Sequence, residues 1–250
     1  MSDAARLARP RRPRARTTAR AAELTASVDA ALRHEADPER ARSMRAYLRD
    51  QFPFFGVPMP RGRAVLRQAA AAVGPPTEAD LLTGARDLWE GEQRELQYAA
   101  VAWLRANVAR LSTEAVPAVA WCITTKAWWD TVDDLAQNVV GPIVLGDRDR
   151  LRPVLDRWAT GDDLWLARTA ILHQNRYRAD TDQAQLFRYC TLRAGDTEFF
   201  IRKAIGWALR EHCRVDAVAV ARFVEDHGED LSGLSIREAR KGLARHGGTG

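Results

Sequence analysis

The chain has 250 residues, 46% of them hydrophobic, which is enough for one sizeable domain or a short array of repeats. No run approaches the roughly 18 apolar residues of a membrane-spanning helix, and no apolar segment follows the arginine-rich N-terminus, so a secretory signal is excluded. Cys122, Cys190 and Cys213 lie far apart without CxxC spacing. This pattern argues against a zinc site and favours reduced thiols in the cytosol.

The formal net charge of +5 is concentrated at the N-terminus. Residues 1–20 contain seven arginines and one aspartate, so the rest of the chain is close to neutral and must meet any polyanion through local basic patches. The arginine-proline composition predicts that residues 1–22 are a disordered tail. Such a tail either adds nonspecific affinity for phosphate or remains solvated without a dedicated partner.

From about residue 22 onward nearly every segment is typical of a helix, so we predict an all-α fold with one repeat domain over residues 23–250. Only VVGPIVL is an apolar run that would also suit a strand. Helix starts are predicted at capping residues, namely Asp37 before Pro38, Thr77, Asp162 or Asp163, Thr197, and Ser235 with Glu238 as a capping box.

Basic residues recur near the starts of successive helices, at Arg94, Lys126, Arg168, Arg202 and Arg237. The spacings of 32, 42, 34 and 35 residues are typical of helical-hairpin repeats. The signature of tetratricopeptide repeats is missing, so we predict irregular HEAT-like pairs stacked into a superhelical α-solenoid. Equivalent helices would then line one concave face, on which these basic residues converge.

The stretch TTKAWWDTVDDLAQ combines two tryptophans with three aspartates. Residues four apart share a helix face, so Trp129 and Asp133 form one pair and Asp130 and Asp134 a competing one, while Trp128 is predicted to lie in the core. Spacing does not choose between the acids. The alternative is that the acids are a solvated face and both tryptophans are core.

Two later stretches repeat this combination of basic and aromatic residues. Arg168 follows Trp165 by three positions, and Lys203 precedes Trp207 by four, which places a cation and an indole on one helix face in each case. Neighbouring repeats with such similar residues favour a functional face, with Lys203 as a candidate DNA contact. The five histidines have no metal-ligand spacing and are predicted to be structural.

The motifs YLRDQFPFFGVPMPRGR, RELQYAA, TKAWWDTVDD, WLARTAILHQ and EFFIRKAIGWALRE together resemble the AlkD-like DNA alkylation repair glycosylases, a family of HEAT-like repeat proteins. The resemblance covers roughly residues 24–245. It implies an open cleft against the DNA backbone in which an aspartate and two tryptophans are catalytic. Matched by motif, these residues are Asp133, Trp129 and Trp207. Arg168 is the nearby arginine, which is expected to bind a DNA phosphate and to help keep Asp133 ionised.

The resemblance also implies DNA contacts near the start of the chain. Tyr47 matches the family pattern beside the cleft, and Arg63 is suited to bind phosphate. Met59 departs from the pattern, because a small polar residue able to touch phosphate is expected there.

The implied activity is hydrolysis of the N-glycosidic bond of purines alkylated at N3 or N7 in duplex DNA, which leaves an abasic site. No metal, cofactor or nucleophilic lysine is expected, so the enzyme is predicted to be monofunctional. We expect a cytoplasmic monomer that acts on the bacterial nucleoid. Two alternatives remain open: a HEAT-like scaffold that binds DNA or protein without catalysis, and a self-resistance glycosylase for bulky adducts.

Overall fold

The computed structural model describes residues 2–246, which group by their contacts into two compact units. Residues 10–122 form what we call the N-terminal unit, and residues 2–9 together with 123–246 form the C-terminal unit. The predicted all-α class is confirmed, because residues 2–246 contain helices and no strand. In this range no helix is both long and apolar enough to cross a membrane.

The helices are, in chain order, α1 (Asp3–Ala8), α2 (Ala19–His34), α3 (Pro38–Tyr47), α4 (Met59–Val73), α5 (Glu78–Glu90), α6 (Arg94–Ala106), α7 (Val116–Thr124), α8 (Trp129–Leu135), α9 (Gly141–Gly146), α10 (Arg148–Thr160), α11 (Leu164–Leu172), α12 (Gln183–Leu192), α13 (Phe199–Asp226) and α14 (Gly233–His246). Short 3₁₀ turns occur at Val108–Arg110, Thr113–Ala115 and Arg178–Asp180, and a π-helical turn at Ala136–Val140. The questioned run VVGPIVL therefore belongs to the π turn and α9.

In the N-terminal unit, α2, α4, α5 and α6 pack around a core that includes Trp89 and Trp103. The loop before α4 is bound by Glu95, a buried residue of α6. The Glu95 carboxylate accepts hydrogen bonds from the amides of Phe55, Gly56 and Val57 at 2.8–3.0 Å. Three amide donors to one carboxylate fix the path by which the chain enters α4.

The segment predicted to be a disordered tail is instead ordered over residues 2–22. In the C-terminal unit, α1 packs on α10, Leu7 is fully buried, and the indole Nε1 of Trp158 donates to the Ala8 carbonyl at 2.8 Å. In the N-terminal unit, residues 10–17, which we call the strap, run along α5 without regular structure. The prediction of disorder rested on charge and proline content, which carry no information about the residues against which Leu7 packs.

In the C-terminal unit, α10 packs on α11, α11 on α13, and α13 on α14. Helix α8 is followed directly by the π-helical turn, after which the chain continues as α9. Helix α13 is kinked at Asp216, where the backbone leaves helical geometry (φ −145°, ψ 86°). Cys122, Cys190 and Cys213 are all free thiols and buried.

Most predicted helix starts are confirmed. Asp37 caps α3 with Pro38 behind it, Thr77 forms a capping box with Asp80, and Asp163 caps α11. The N-cap of α13 is Glu198, one residue after the predicted Thr197.

The capping box predicted at Ser235 is wrong. The Ser232 hydroxyl accepts from the Ser235 amide at 3.1 Å, so α14 begins one turn earlier. Ser235 is buried and donates to the Arg202 carbonyl, and Glu238 binds cations instead. Either serine satisfies the local capping pattern, and packing against α13 decides between them.

Candidate functional site

The centre of the candidate site is a forked ion pair between Asp133 on α8 and Arg168 on α11. The Nε and Nη2 atoms of Arg168 donate to the two carboxylate oxygens of Asp133 at 2.7 and 2.8 Å. The Arg168 side chain is only 4% exposed and that of Asp133 is 15% exposed. The carboxylate is therefore fixed in orientation on a side chain that is partly exposed.

The two helices are placed by their N-terminal caps. Trp128 is the extended N-cap residue of α8, and Lys126 ahead of it has a positive φ of 50°, which turns the chain into the helix. On α11 the side chain of Asp163 accepts from the amides of Trp165 and Leu166 at 2.9 Å. Asp133 and Arg168 are each the fifth residue of their helix and project from its second turn.

A cluster of three aromatic rings lies beside the ion pair. The centroids of Trp128 and Trp165 are 6.0 Å apart, and Phe200 lies 5.2 Å and 5.0 Å from them. Phe200 also contributes its carbonyl, which accepts a hydrogen bond from the third guanidinium nitrogen of Arg168. The guanidinium is thus held on three sides, which leaves it little freedom to turn away from Asp133.

The pKa of the Asp133 carboxyl is raised above its ordinary value of 3.8, chiefly because burial disfavours the charged form. The two hydrogen bonds and the charge of Arg168 oppose this shift, while the charges of Asp130 and Asp134 add to it. Two further carboxylates thus act on Asp133, whose charge is balanced by one guanidinium. Any group that binds next to Asp133 enters a negative local field.

The structure separates the acids that spacing left equivalent. Asp133 is the member of the stretch that binds Arg168, whereas the Asp134 carboxylate accepts from the amide of Asn138 at 2.6 Å. Trp129 is the first residue of α8 and is half-buried, as Asp133 is. Asp133 and Arg168 are thus in direct contact, while the catalytic roles of Asp133 and Trp129 and the predicted phosphate contact of Arg168 stay predictions.

Trp207 lines a cleft of about 620 Å³ in the C-terminal unit. Gln137 lies on the same cleft and donates to the Asp133 carbonyl at 3.0 Å, so the cleft begins one helical turn from Asp133. Neither Asp133 nor Trp129 is among its lining residues. The further lining is mostly polar and includes the exposed arginines Arg176, Arg178 and Arg214.

Lys203 does not extend into solvent as a free cation. Its ammonium lies 2.8 Å from the buried carboxylate of Glu238 on α14, which also binds Arg210 at 2.5 Å and Lys241 at 2.6 Å. Burial by itself raises the pKa of the Glu238 carboxyl, but the hydrogen bonds from Lys203 and Lys241 outweigh it and lower the pKa to about 2. The cluster of one anion and three cations keeps a net positive charge, so a role of Lys203 in DNA binding stays a prediction.

The other predicted DNA contacts lie in the N-terminal unit. Tyr47 is the last residue of α3 and is 71% exposed. Arg63 is an exposed residue of α4. Met59, the departure from the family pattern, is the first residue of α4 and is 41% exposed.

The basic residues at the predicted repeat positions have different surroundings. Arg94 is fully buried with its guanidinium 3.8 Å from the centre of the Phe52 ring, and Arg202 donates to the Asp196 carbonyl. Lys126 precedes its helix, and Arg237 is exposed. Arg168 binds the candidate catalytic acid Asp133. The convergence of all five basic residues on one concave face stays a prediction.

Sequence reasoning missed two residues that shape the site, Phe200 and Gln137. Phe200 holds Arg168 by its backbone carbonyl, a contact to which any residue type is suited, so no sequence signal identified it. Gln137 follows Asp133 by four positions, and that spacing is a signal that could have found it.

Comparisons with known proteins agree with the resemblance. Residues 28–243 match the model of a family described as DNA alkylation repair enzymes. A solved structure of a predicted DNA alkylation repair enzyme from Enterococcus faecalis is similar, with 31% identity and a TM-score of 0.76 over 84% of this chain and 97% of that one. No curated protein matches. The family match spans both units and the ion pair at Asp133, and the chain belongs to the DNA alkylation repair enzyme family.

Proposed function

We propose that the protein is a monofunctional DNA glycosylase, which hydrolyses the N-glycosidic bond of purines alkylated at N3 or N7 in duplex DNA. The observation that carries this proposal is the Asp133 carboxylate, which Arg168 holds by both oxygens while 15% of the side chain remains exposed. A carboxylate on the path of a polyanion has an unfavourable charge for binding alone. It has the right charge for a reaction in which the substrate becomes cationic at the sugar.

The chemistry of the substrate explains why no general acid is needed. An N3- or N7-alkylated purine is a cation, so when the bond to C1′ breaks, the electron pair leaves with the base and neutralises it. Positive charge then grows on the deoxyribose, as in glycoside hydrolysis. Water adds to C1′, loses a proton and completes the abasic site.

Asp133 has the role of stabilising this developing charge. Asp130 and Asp134 strengthen the negative field, since their charges also raise the Asp133 pKa. Fixed charges aimed at the transition state are among the largest contributions to catalysis, because they need no reorganisation during the reaction. The Asp133 carboxylate also has the capacity to orient the attacking water.

The indoles and arginines have supporting roles. Trp129 beside Asp133 and Trp207 on the cleft offer faces that attract cationic groups and pack on sugar, worth about 0.5–2 kcal/mol each. Arg176, Arg178 and Arg214 on the same cleft supply positive charge for phosphates. Arg168 was expected to bind a phosphate, but its guanidinium nitrogens already donate to Asp133 and Phe200, so we assign it the role of positioning the acid.

The test is release of 7-methylguanine and 3-methyladenine from N-methylated duplex DNA by Asp133→Asn, with Asp134→Asn as the matched control. We expect the first variant to lose about 10²-fold or more in single-turnover rate, the magnitude for removal of one electrostatic stabiliser. Asp134→Asn, which removes one of the two acids that only add to the field, should lose much less of the rate than Asp133→Asn. Circular dichroism should show that both variants are folded.

Two outcomes would contradict the proposal. Equal release by wild type and Asp133→Asn would show that another carboxylate is catalytic. No release by the wild-type protein on methylated DNA, together with tighter DNA binding by Asp133→Asn, would indicate a binding scaffold.

A further inference from the structure

The strap, residues 10–17, is a strongly basic surface outside the part of the chain that matches the family model. It carries four exposed arginines, Arg11, Arg12, Arg14 and Arg16. Its backbone is attached to the N-terminal unit at several points and is not a free tail. We infer that the strap is a second binding surface for duplex DNA, which binds the phosphate backbone of undamaged DNA.

The first step of the argument is the way in which the strap is held. Arg86 of α5 is 6% exposed and donates from one guanidinium nitrogen to the carbonyls of Pro13 and Ala15, at 3.0 and 2.6 Å. Its other terminal nitrogen donates to the Thr17 hydroxyl at 2.6 Å. The Arg11 amide donates to the Pro117 carbonyl at 2.8 Å. A buried arginine is thus used to fix the main chain of an arginine-rich segment.

The second step concerns the acids that face the strap. Asp87 of α5 binds Arg86 at 2.6 Å and accepts from Thr17 at 2.7 Å, so it is used in the attachment. Glu90 of α5 pairs with Arg12 at 2.5 Å. These two acids are therefore engaged.

Three cations remain for an outside partner. In the described part of the chain, Arg11, Arg14 and Arg16 make no side-chain ion pair, and all three are exposed. An extended chain spans at most about 3.3–3.6 Å per residue, so Arg11 and Arg16 are separated by up to about 17 Å. One strand of B-DNA presents a phosphate about every 3.4 Å along its axis, so this length covers several phosphates.

The chemistry favours DNA over an acidic protein as the partner. Arginine forms forked hydrogen bonds to phosphate, and a fixed backbone loses less conformational freedom on binding than a flexible tail. The choice of DNA as the polyanion rests on the proposed function. The proposed catalytic residues lie on α8, α11 and α13 of the C-terminal unit, whereas the strap contacts α5 of the N-terminal unit.

The test is binding of undamaged duplex DNA by fluorescence anisotropy over a range of salt concentrations. The triple variant Arg11→Gln, Arg14→Gln, Arg16→Gln should reduce the slope of log K against log salt by about 2–3, because each phosphate contact contributes about 0.9. The matched control removes three other exposed arginines, Arg110, Arg157 and Arg222, and should change the slope little. Single-turnover base release at saturating protein should be unchanged in both.

A second variant tests the attachment. Arg86→Lys keeps the net charge but cannot make the forked contacts, so trypsin should cut faster after Arg14 and Arg16, and DNA affinity should fall. An unchanged salt slope in the triple variant, an equal loss in the control, or undiminished binding by Arg86→Lys would overturn the inference. Because these measurements use undamaged DNA, they are independent of whether the protein releases bases.

Discussion

The proposed catalytic role of Asp133 accounts for the energetic cost of keeping the Asp133–Arg168 pair largely buried. Removal of one partner from a buried ion pair leaves a charge without compensation, whereas replacement of both by apolar residues is often neutral or stabilising. Here a 4% exposed guanidinium and a 15% exposed carboxylate are retained side by side. The geometry keeps one carboxylate in one orientation, which is what an electrostatic catalyst requires.

The pH dependence of base release follows from the raised pKa of Asp133. Its ionised form is the active one, so activity should fall as the pH decreases through a value above the ordinary 3.8 of an aspartate. Stability has the opposite sign, because a folded-state pKa above the unfolded one lowers stability as the pH rises between the two values. A single-turnover rate profile, corrected for spontaneous depurination, measures the acid limb.

Arg168→Gln provides the control for this assignment. Arg168 opposes the shift, so its loss should move the acid limb to higher pH as well as lower the rate. A rate that is independent of pH down to 4, or a limb that does not move in Arg168→Gln, would contradict a catalytic Asp133.

At the scale of single residues, periodicity predicted that Trp129 and Asp133 share a helix but did not choose among the three aspartates of the stretch. Trp129 and Asp133 do lie on one helix, α8, four positions apart. What distinguishes Asp133 from Asp130 and Asp134 is a partner 35 residues away in sequence. A contact of that separation depends on how α8 and α11 pack, which local spacing does not encode.

At the scale of elements, the crossing of α13 and α14 depends on a glycine. A Cβ at Gly206 would lie 2.6 Å from the Glu238 Cβ and 2.8 Å from the Ser235 carbonyl oxygen. The next residue is Trp207, which lines the cleft. A change in the distance between α13 and α14 at this point would therefore displace Trp207 of the candidate site.

Gly206→Ala should destabilise the protein by about 1–3 kcal/mol, the range for overpacking of a tight contact. Gly195→Ala is the matched control, because a Cβ there meets nothing within 4 Å. Urea unfolding measures both. Equal stability of the two variants would show that α13 and α14 can separate without cost.

Helix starts were predicted well from the sequence, and the wrong capping residue at Ser235 shows the limit of the local pattern. Asp37, Thr77 and Asp163 cap helices as expected, because a capping side chain acts within its own turn. Ser235 matched the same local pattern and is buried against Arg202 instead. Local chemistry proposes the caps, and packing between helices selects among them.

At the scale of the whole molecule, the folded part of the chain includes the N-terminal segment. Residues 2–22 lie outside the family match, yet α1 places Leu7 in the core of the C-terminal unit. A prediction from charge and proline content could not find this, since the partner helix α10 comes some 150 positions later.

Leu7→Ala should therefore lower stability by about 2–5 kcal/mol, as expected for truncation of a buried leucine. The matched control is Leu192→Ala, which truncates a leucine that is 50% exposed and should change stability by less than about 0.5 kcal/mol. Chemical denaturation monitored by tryptophan fluorescence compares them. No difference between the two would mean that α1 is not part of the cooperative fold.

The buried thiols have a consequence for the conditions under which this protein works. Thiolates are the side chains that electrophiles attack most readily, and here burial raises the pKa of Cys122, of Cys190 to about 12 and of Cys213 to about 11. At neutral pH these thiols are therefore held in the protonated, less reactive form. We therefore expect these three thiols to be alkylated slowly while the protein is folded.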